Sequence, residues 1–271
     1  MAGGISNEEV WRGMVGGNNS VLARVRRRNK RLPGSPRCKQ CLLPMGGPLA
    51  WAMRLRGLRP SEGNPNFCNN CEVFVRKHPG GVEVELTFLF ADVRGSTAIA
   101  EKLSATSFTA AMNRFFGVAN RVLVQSDAYI DKLVGDEVVG FYMPYLGPAN
   151  SRRAVEAAKE LLIATGHEDV EGPWLPVGIG VNSGIAFVGS VGTPDGRTDF
   201  TAMGDVVNVT ARLSSIAGAG EIVIGESAWK EAAIEDAAEE RRVQLKGKSE
   251  PLHVHVVKVT PAVTDLAKKG N

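Results

Sequence analysis

The sequence has no apolar run approaching the ~18 to 20 residues that a membrane-spanning helix needs. Its opening, MAGGISNEEVWRG, lacks the basic-then-apolar order of a secretory signal, so a cytoplasmic protein is expected. Internal repeats and low-complexity tracts are missing, which excludes solenoid and fibrous architectures. Cysteine is scarce, with 4 in 271 residues. All of them fall in one short segment, a pattern unlike a disulfide-dense secreted scaffold. The four histidines, His78, His167, His253 and His255, show no metal-ligand spacing with the cysteines, and the last two are expected on one face of a closing strand. What remains is ordinary globular composition: 44% hydrophobic, 23% charged, mean hydropathy −0.07. The length suits one compact domain of roughly 170 to 190 residues with a smaller appendage.

The net charge of +3 conceals a division near residue 80. Up to that point there are 14 Lys and Arg against 4 Asp and Glu; beyond it, 18 against 25. A basic head therefore precedes an acidic body. Such a head suits nucleic acid or anionic lipid, and it equally suits attraction to its own body, within the chain or across a dimer.

Ser6 with Glu9 reads as a capping box opening a short amphipathic helix through Val10, Trp11, Met14 and Val15. After Gly16-Gly17 a second helix runs through Leu22 and Val25 into Arg26, Arg27, Arg28, Lys30 and Arg31, and Pro33-Gly34 ends it. The basic cluster reads as a solvated helix end in preference to a nucleic-acid patch. The first 35 residues form this helical part, and residues 36–78 a four-cysteine module. Within it, Cys38-Lys-Gln-Cys41 and Cys68-Asn-Asn-Cys71 are paired knuckles whose two-residue gap lets both sulfurs reach one tetrahedral ion. Structural zinc is the leading reading; an iron–sulfur cluster and redox thiols are the alternatives. A metal would order a small core about Trp51, giving a regulatory or dimer-ordering element.

From residue 82 to about 260 the pattern is mixed α/β, followed by a flexible tail at 261–271. Strands are expected at 82–90, 128–134, 137–142, 177–182, 186–190, 222–224, 243–245 and 253–259, with helices at 98–103, 108–125, 152–165, 206–216 and 227–233. Gly135-Asp136 carries hairpin chemistry. The fold class expected is α+β, a mixed sheet with packed helices.

Three clusters carry chemistry. Asp92 ends a very apolar strand and is followed by Gly95, Ser96 and Thr97 at a helix start, an acid with little packing value that a divalent cation would justify. Asp136 lies at the hairpin tip, and two acids on adjacent strands suit two-metal phosphoryl chemistry. Asp131 and Glu137 alternate with these positions and are expected to point elsewhere. In the third cluster Asn208 and Arg212, four apart on one helix, could hold a ribose and a pentavalent phosphorus, with Asp205 as the helix cap.

Together these clusters resemble the catalytic domain of the class III adenylate and guanylate cyclases, with a ferredoxin-like palm-type fold, over about residues 83 to 259. The resemblance rests on F-x-D-V-x-G-S-T at 90–97, K-x-x-G-D at 132–136 and G-D-x-V-N-x-x-A-R at 204–212. It implies that Asp92 and Asp136, helped by the backbone of Val93, hold two Mg²⁺ or Mn²⁺ ions. It implies that Lys132 and Thr201 read the base, Asn208 positions the ribose and Arg212 stabilises the transferring phosphorus. Lys246 then contributes a triphosphate contact, beside the phosphate-facing turn at Gly95, Ser96 and Thr97. Thr201 falls where a IIIb subgroup carries Thr, which implies ATP as substrate, cyclic AMP as product and a possible response to bicarbonate. Guanine presents donors and acceptors in the opposite order, leaving buried groups unpaired. The resemblance further implies a homodimer in which the aspartates of one protomer face Lys132, Thr201, Asn208 and Arg212 of the other. After Ser183-Gly184 the basic or acidic residue frequent in the family is missing. The rival functions are a cyclase for GTP or a pyrimidine nucleotide, and a catalytically silent cyclase fold whose four-cysteine head binds nucleic acid.

Overall fold

The computed structural model describes residues 6–16, 20–147, 149–193 and 198–261. Four helices come first: α1 (Asn7–Val15), α2 (Ser20–Lys30), α3 (Ala50–Leu55) and α4 (Asn69–Lys77). They are followed by β1 (Gly80–Val93), α5 (Ser96–Lys102), α6 (Ala105–Gln125), β2 (Tyr129–Val134), β3 (Glu137–Tyr142) and α7 (Asn150–Ala164). Then come β4 (Val177–Gly192), β5 (Thr198–Met203), α8 (Asp205–Ile216), β6 (Glu221–Gly225), α9 (Glu226–Ala232), β7 (Glu239–Val243) and β8 (Leu252–Lys258).

The strands form one mixed sheet in the order β2-β3-β1-β4-β6-β8-β7, with β5 paired to the far end of β4. Among the described residues, only the β4–β6 pairing is parallel. The expected α+β class holds. The segments 177–182 and 186–190 are one continuous strand, because the intervening Ser183-Gly184-Ile185 pairs in register with Thr87, Leu86 and Glu85 of β1. β5 was not among the expected strands. Ser6 and Glu9 close the capping box at α1. At the start of α8 the cap is Gly204 and Asp205 is the first helical residue, where its carboxylate pairs with Lys248 at 2.6 Å.

Period-two alternation along β1 assigns its two faces. Leu89, Ala91 and Val93 meet Met112, Phe115 and Ala119 of α6 and Ala154, Val155 and Ala158 of α7 in one core. Leu86, Phe88 and Phe90 join Tyr129, Phe141 and Phe200 in a second core on the opposite face. Asp92 belongs to that opposite face by the same alternation.

The basic head covers the second face. Trp11, fully buried, stacks on Phe200 at 5.6 Å, and its indole N–H donates to His78 O. The cation cluster is in part the solvated helix end expected of it, with Arg27, Arg28 and Arg31 exposed, but Arg26 departs from that reading. Arg26 is fully buried, donating to Gln40 O at 2.6 Å and Ala128 O at 3.0 Å, with its guanidinium 4.2 Å above the Tyr129 ring. Carbonyls and an aromatic face thus offset its desolvation. Lys30 pairs with Asp127 at 2.8 Å, so the head's excess charge is spent partly on the acidic body. Trp51 is 66% exposed and orders no core, since the short α3 turns it outward. Among the described residues, no helix is long and apolar enough to cross a membrane.

Candidate active site and metal centre

Asp92, the last but one residue of β1, lies directly across from Glu137 of β3. Gly135, at φ 64°, makes the β2–β3 turn, and the Asp136 carbonyl accepts from the Val93 N–H at 3.2 Å. Asp92, Val93 and Asp136 are therefore brought together, and Glu137 joins them, contrary to the expectation that it points elsewhere. Burial raises the Glu137 carboxyl above its ordinary value, and the Asp136 charge raises it further. Three acids in one corner demand a cation. In this structure Arg94 meets the demand in part by pairing with the Asp92 carboxylate while donating to Ser215 O at 2.9 Å. An all-oxygen donor set with a guanidinium as stand-in cation fits Mg²⁺ or Mn²⁺.

Asn208 and Arg212 are carried by α8. Val206, Val209, Thr210, Leu213 and Ser214 are its buried positions, which leaves Asn208 exposed and Arg212 half-buried on the other side, one turn apart. The helix lies very close to the sheet because β4 offers glycine beneath it. A Cβ at Gly180 would sit 2.4 Å from Ser214 N and 2.7 Å from Thr210 O. The loop after β7 returns along α8: the Arg212 guanidinium lies 3.7 Å from the position a Gly247 Cβ would take, so Lys246 and Arg212 belong to one neighbourhood.

Lys132 on β2 and Thr201 on β5 converge on one carboxylate oxygen. Thr201 Oγ1 donates to Asp131 Oδ2 at 3.0 Å, and Lys132 Nζ lies 3.9 Å from the same atom. Asp131 lies apart from the Asp92–Asp136 corner, as expected, and turns instead toward Thr201 and Lys39. Its side chain is only 7% exposed, and its other oxygen is held by Lys39 at 3.1 Å. A cavity of about 600 Å³ opens beside it, lined by Cys38, Lys39, Asn120, Asp131, Lys132 and Asp199. Gly95, Ser96 and Thr97 form the turn into α5, partly or fully exposed.

The Sγ atoms of Cys38, Cys41, Cys68 and Cys71 all lie within 4.8 Å of one another, with no disulfide between them. A tetrahedral zinc with Zn–S of ~2.3 Å spaces its sulfurs about 3.8 Å apart. Cys41 and Cys68 are separated by 3.7 Å, so the cluster could hold a metal of this kind. A second group, Glu226, His253 and His255, was not anticipated as a cluster. Glu226 Oε2 bonds both imidazoles, at 2.9 and 2.7 Å, and Lys230 hydrogen-bonds the same carboxylate, lowering it to about 2. The i, i+2 histidines on a terminal strand were its only signal; Glu226 arrives from the start of α9.

Residues 82–258 match the family described as the adenylate and guanylate cyclase catalytic domain. The fold is similar to the crystal structure of the guanylyl cyclase Cya2, at 27% identity and a TM-score of 0.61, over 69% of this chain and 98% of that one. It is similar also to the adenylyl cyclase CyaB from P. aeruginosa, at 27% identity and a TM-score of 0.58, over 68% and 97%. In sequence it is 26% identical over 190 residues to an adenylate cyclase of Anabaena cylindrica, covering 64% of this chain but 36% of that protein. The chain therefore spans about a third of this curated relative. Relatives named for either purine are matched at comparable identity, and with the mixed sheet, the acidic corner and the α8 pair in place, this chain belongs to the family of class III nucleotidyl cyclase catalytic domains.

Proposed function

We propose that the chain is an adenylate cyclase, forming 3′,5′-cyclic AMP and pyrophosphate from ATP at sites shared across a homodimer. The observation carrying the base choice is the convergence of Lys132 and Thr201 on Asp131. An ammonium donating to adenine N1 and a hydroxyl accepting from the exocyclic amine complement adenine, whereas guanine reverses both partners. Supporting the shared site, Asn208 and Arg212 project from the side of α8 away from its own sheet, and dimeric cyclase partners are typical of the family.

Asp92, Asp136 and the backbone of Val93 would hold two Mg²⁺ or Mn²⁺ ions, whose contribution when bound is a more acidic 3′-hydroxyl and neutralisation of the departing pyrophosphate. Asn208 fixes the ribose so that its 3′-oxygen lies in line with the α-phosphorus. Arg212 takes up the charge that develops there as the bond to pyrophosphate breaks, and Lys246 with the turn at Gly95, Ser96 and Thr97 retains the phosphate oxygens. The four cysteines hold a structural zinc, and the head is an ordering element. Cyclic-product analysis after incubation with each of ATP, GTP, CTP and UTP tests the reading: cyclic AMP as main product is expected, whereas cyclic GMP as main product, or no turnover, overturns it.

A further inference from the structure

Asp131 lies on β2 immediately before the base-reading lysine, yet its partners Lys39 and Thr201 come from two distant parts of the chain. Lys39, between the cysteines of the first knuckle, reaches it from the head: its Nζ lies 3.1 Å from both Oδ1 and the Asp131 carbonyl, and 3.6 Å from Asp199. Lys39 and Asp131 are each 7% exposed at the side chain. On the outer side Oδ2 receives the Thr201 hydroxyl at 3.0 Å.

A hydroxyl has one proton to give, and a carboxylate only accepts. Once Thr201 has donated to Asp131, it offers a ligand lone pairs alone. It can then accept from a 6-amino group but cannot donate to a 6-oxo group. We propose that Asp131 is a positioning residue that fixes Thr201 as an acceptor and so selects a 6-amino purine, and that Lys39 clamps this carboxylate from the cysteine knuckle. The inference deepens the reading of Lys132 and Thr201 as the base-reading pair, and rests on it.

Asp131→Asn tests it in a directed way. The single amide oxygen will face Lys39, because an ammonium cannot accept from an amide. The Nδ2 group then faces Thr201 and donates to it, and the hydroxyl proton turns outward as a donor suited to guanine O6. Initial rates with ATP and GTP, and dissociation constants for 3′-deoxy-ATP and 3′-deoxy-GTP, which lack the attacking hydroxyl, give the discrimination with and without chemistry. Asp131→Asn is expected to lower the ATP-to-GTP ratio of kcat/KM by about tenfold or more, chiefly through KM, with the deoxynucleotide ratio following. In a Thr201→Val background the Asp131 substitution should lower the ratio no further, while Lys39→Arg should preserve it. A parallel loss for both nucleotides, or additive effects in the double variant, overturns the proposal. Should Asp131→Asn not fold, Thr201→Val alone must lower the same ratio, and an unchanged ratio overturns it. Wild-type protein that prefers GTP or binds neither nucleotide overturns the base-reading assignment itself, before any variant is made.

Discussion

The four cysteines and the three carboxylates at the end of β1 each gather ligand atoms of one kind, but the chain leaves them in opposite conditions. The sulfurs come from two knuckles of one segment, and Cys38, Cys41 and Cys68 are sealed from solvent. The acids come from facing strand ends, stay partly exposed, and take Arg94 onto Asp92. A closed sulfur site serves folding, whereas an open oxygen site keeps room for a substrate. The same chain thus sets a cluster that could hold a structural metal apart from a corner that suits metals for chemistry on the proposed reading, and the two clusters should fail differently when damaged.

The largest expected effect is at the open site. Asp136→Ala is expected to lower turnover about a thousandfold with a melting temperature within a few degrees of wild type. Cys68→Ala should do the reverse first, lowering the melting temperature by about 10 °C or more and releasing bound metal. Turnover, thermal unfolding and elemental analysis check the contrast, and equal loss of stability in both variants would erase it. Sharing of the open site is tested by mixing Asp136→Ala with Arg212→Ala, each expected to be inactive alone. Random heterodimers restore one intact site per mixed pair, about a quarter of wild-type activity. No recovery would place all the groups in one protomer.

Smaller effects concern how each site is held. Gly180→Ala forces a methyl group into the backbone of α8, and should cost about 1–3 kcal/mol in denaturant unfolding while displacing Asn208 and Arg212. Arg94→Gln removes the internal cation from Asp92, and should lower the Mn²⁺ concentration for half-maximal turnover by about tenfold, read directly from a metal titration. An unchanged titration would mean that Arg94 does not compete with the ions.

Much of this was legible in the residue order because it is local. The capping box, the Gly135-Asp136 turn, the helical spacing of Asn208 and Arg212 and the knuckle spacing all depend on neighbours a few positions apart. The role of Asp131 was not legible because its partners, Lys39 and Thr201, lie 92 and 70 residues away, and alternation along β2 reports only a face. Arg26 looked solvated because nothing local announces the Tyr129 ring that receives it. Trp51 looked like a core residue on composition alone, and its burial was decided by how α3 docks. β5 was missed because its strand character depends on pairing with β4, with only Phe200 and Ala202 facing inward.

A further acidic site, Glu221, sharpens the comparison by supplying its own cations. Glu221, on β6, accepts from Arg241 at 2.9 and 3.1 Å and from the Gly218 N–H at 2.9 Å, and Lys258 stands 3.4 Å away. These partners, Arg241 foremost, hold its carboxyl down to about 2, against 4.5 unperturbed. A lowered folded-state pKa gives stability that is fully present above the unfolded value and is lost as pH falls through the folded one. Arg241→Ala should therefore cost about 1–2 kcal/mol at pH 7, after discounting for solvent screening, and that gap should close between about pH 5 and pH 2. Adding Mn²⁺ should leave the gap unchanged, because Lys258 still stands beside Glu221 in the variant and a lone carboxylate is a poor site for the ion. At Asp92 the same addition should raise stability, because there the protein lends a cation that an ion can replace. Unfolding free energies of both proteins at pH 7 and pH 3, with and without Mn²⁺, measure this directly, and a gap that persists undiminished at low pH would assign the Arg241 contribution to packing rather than to charge.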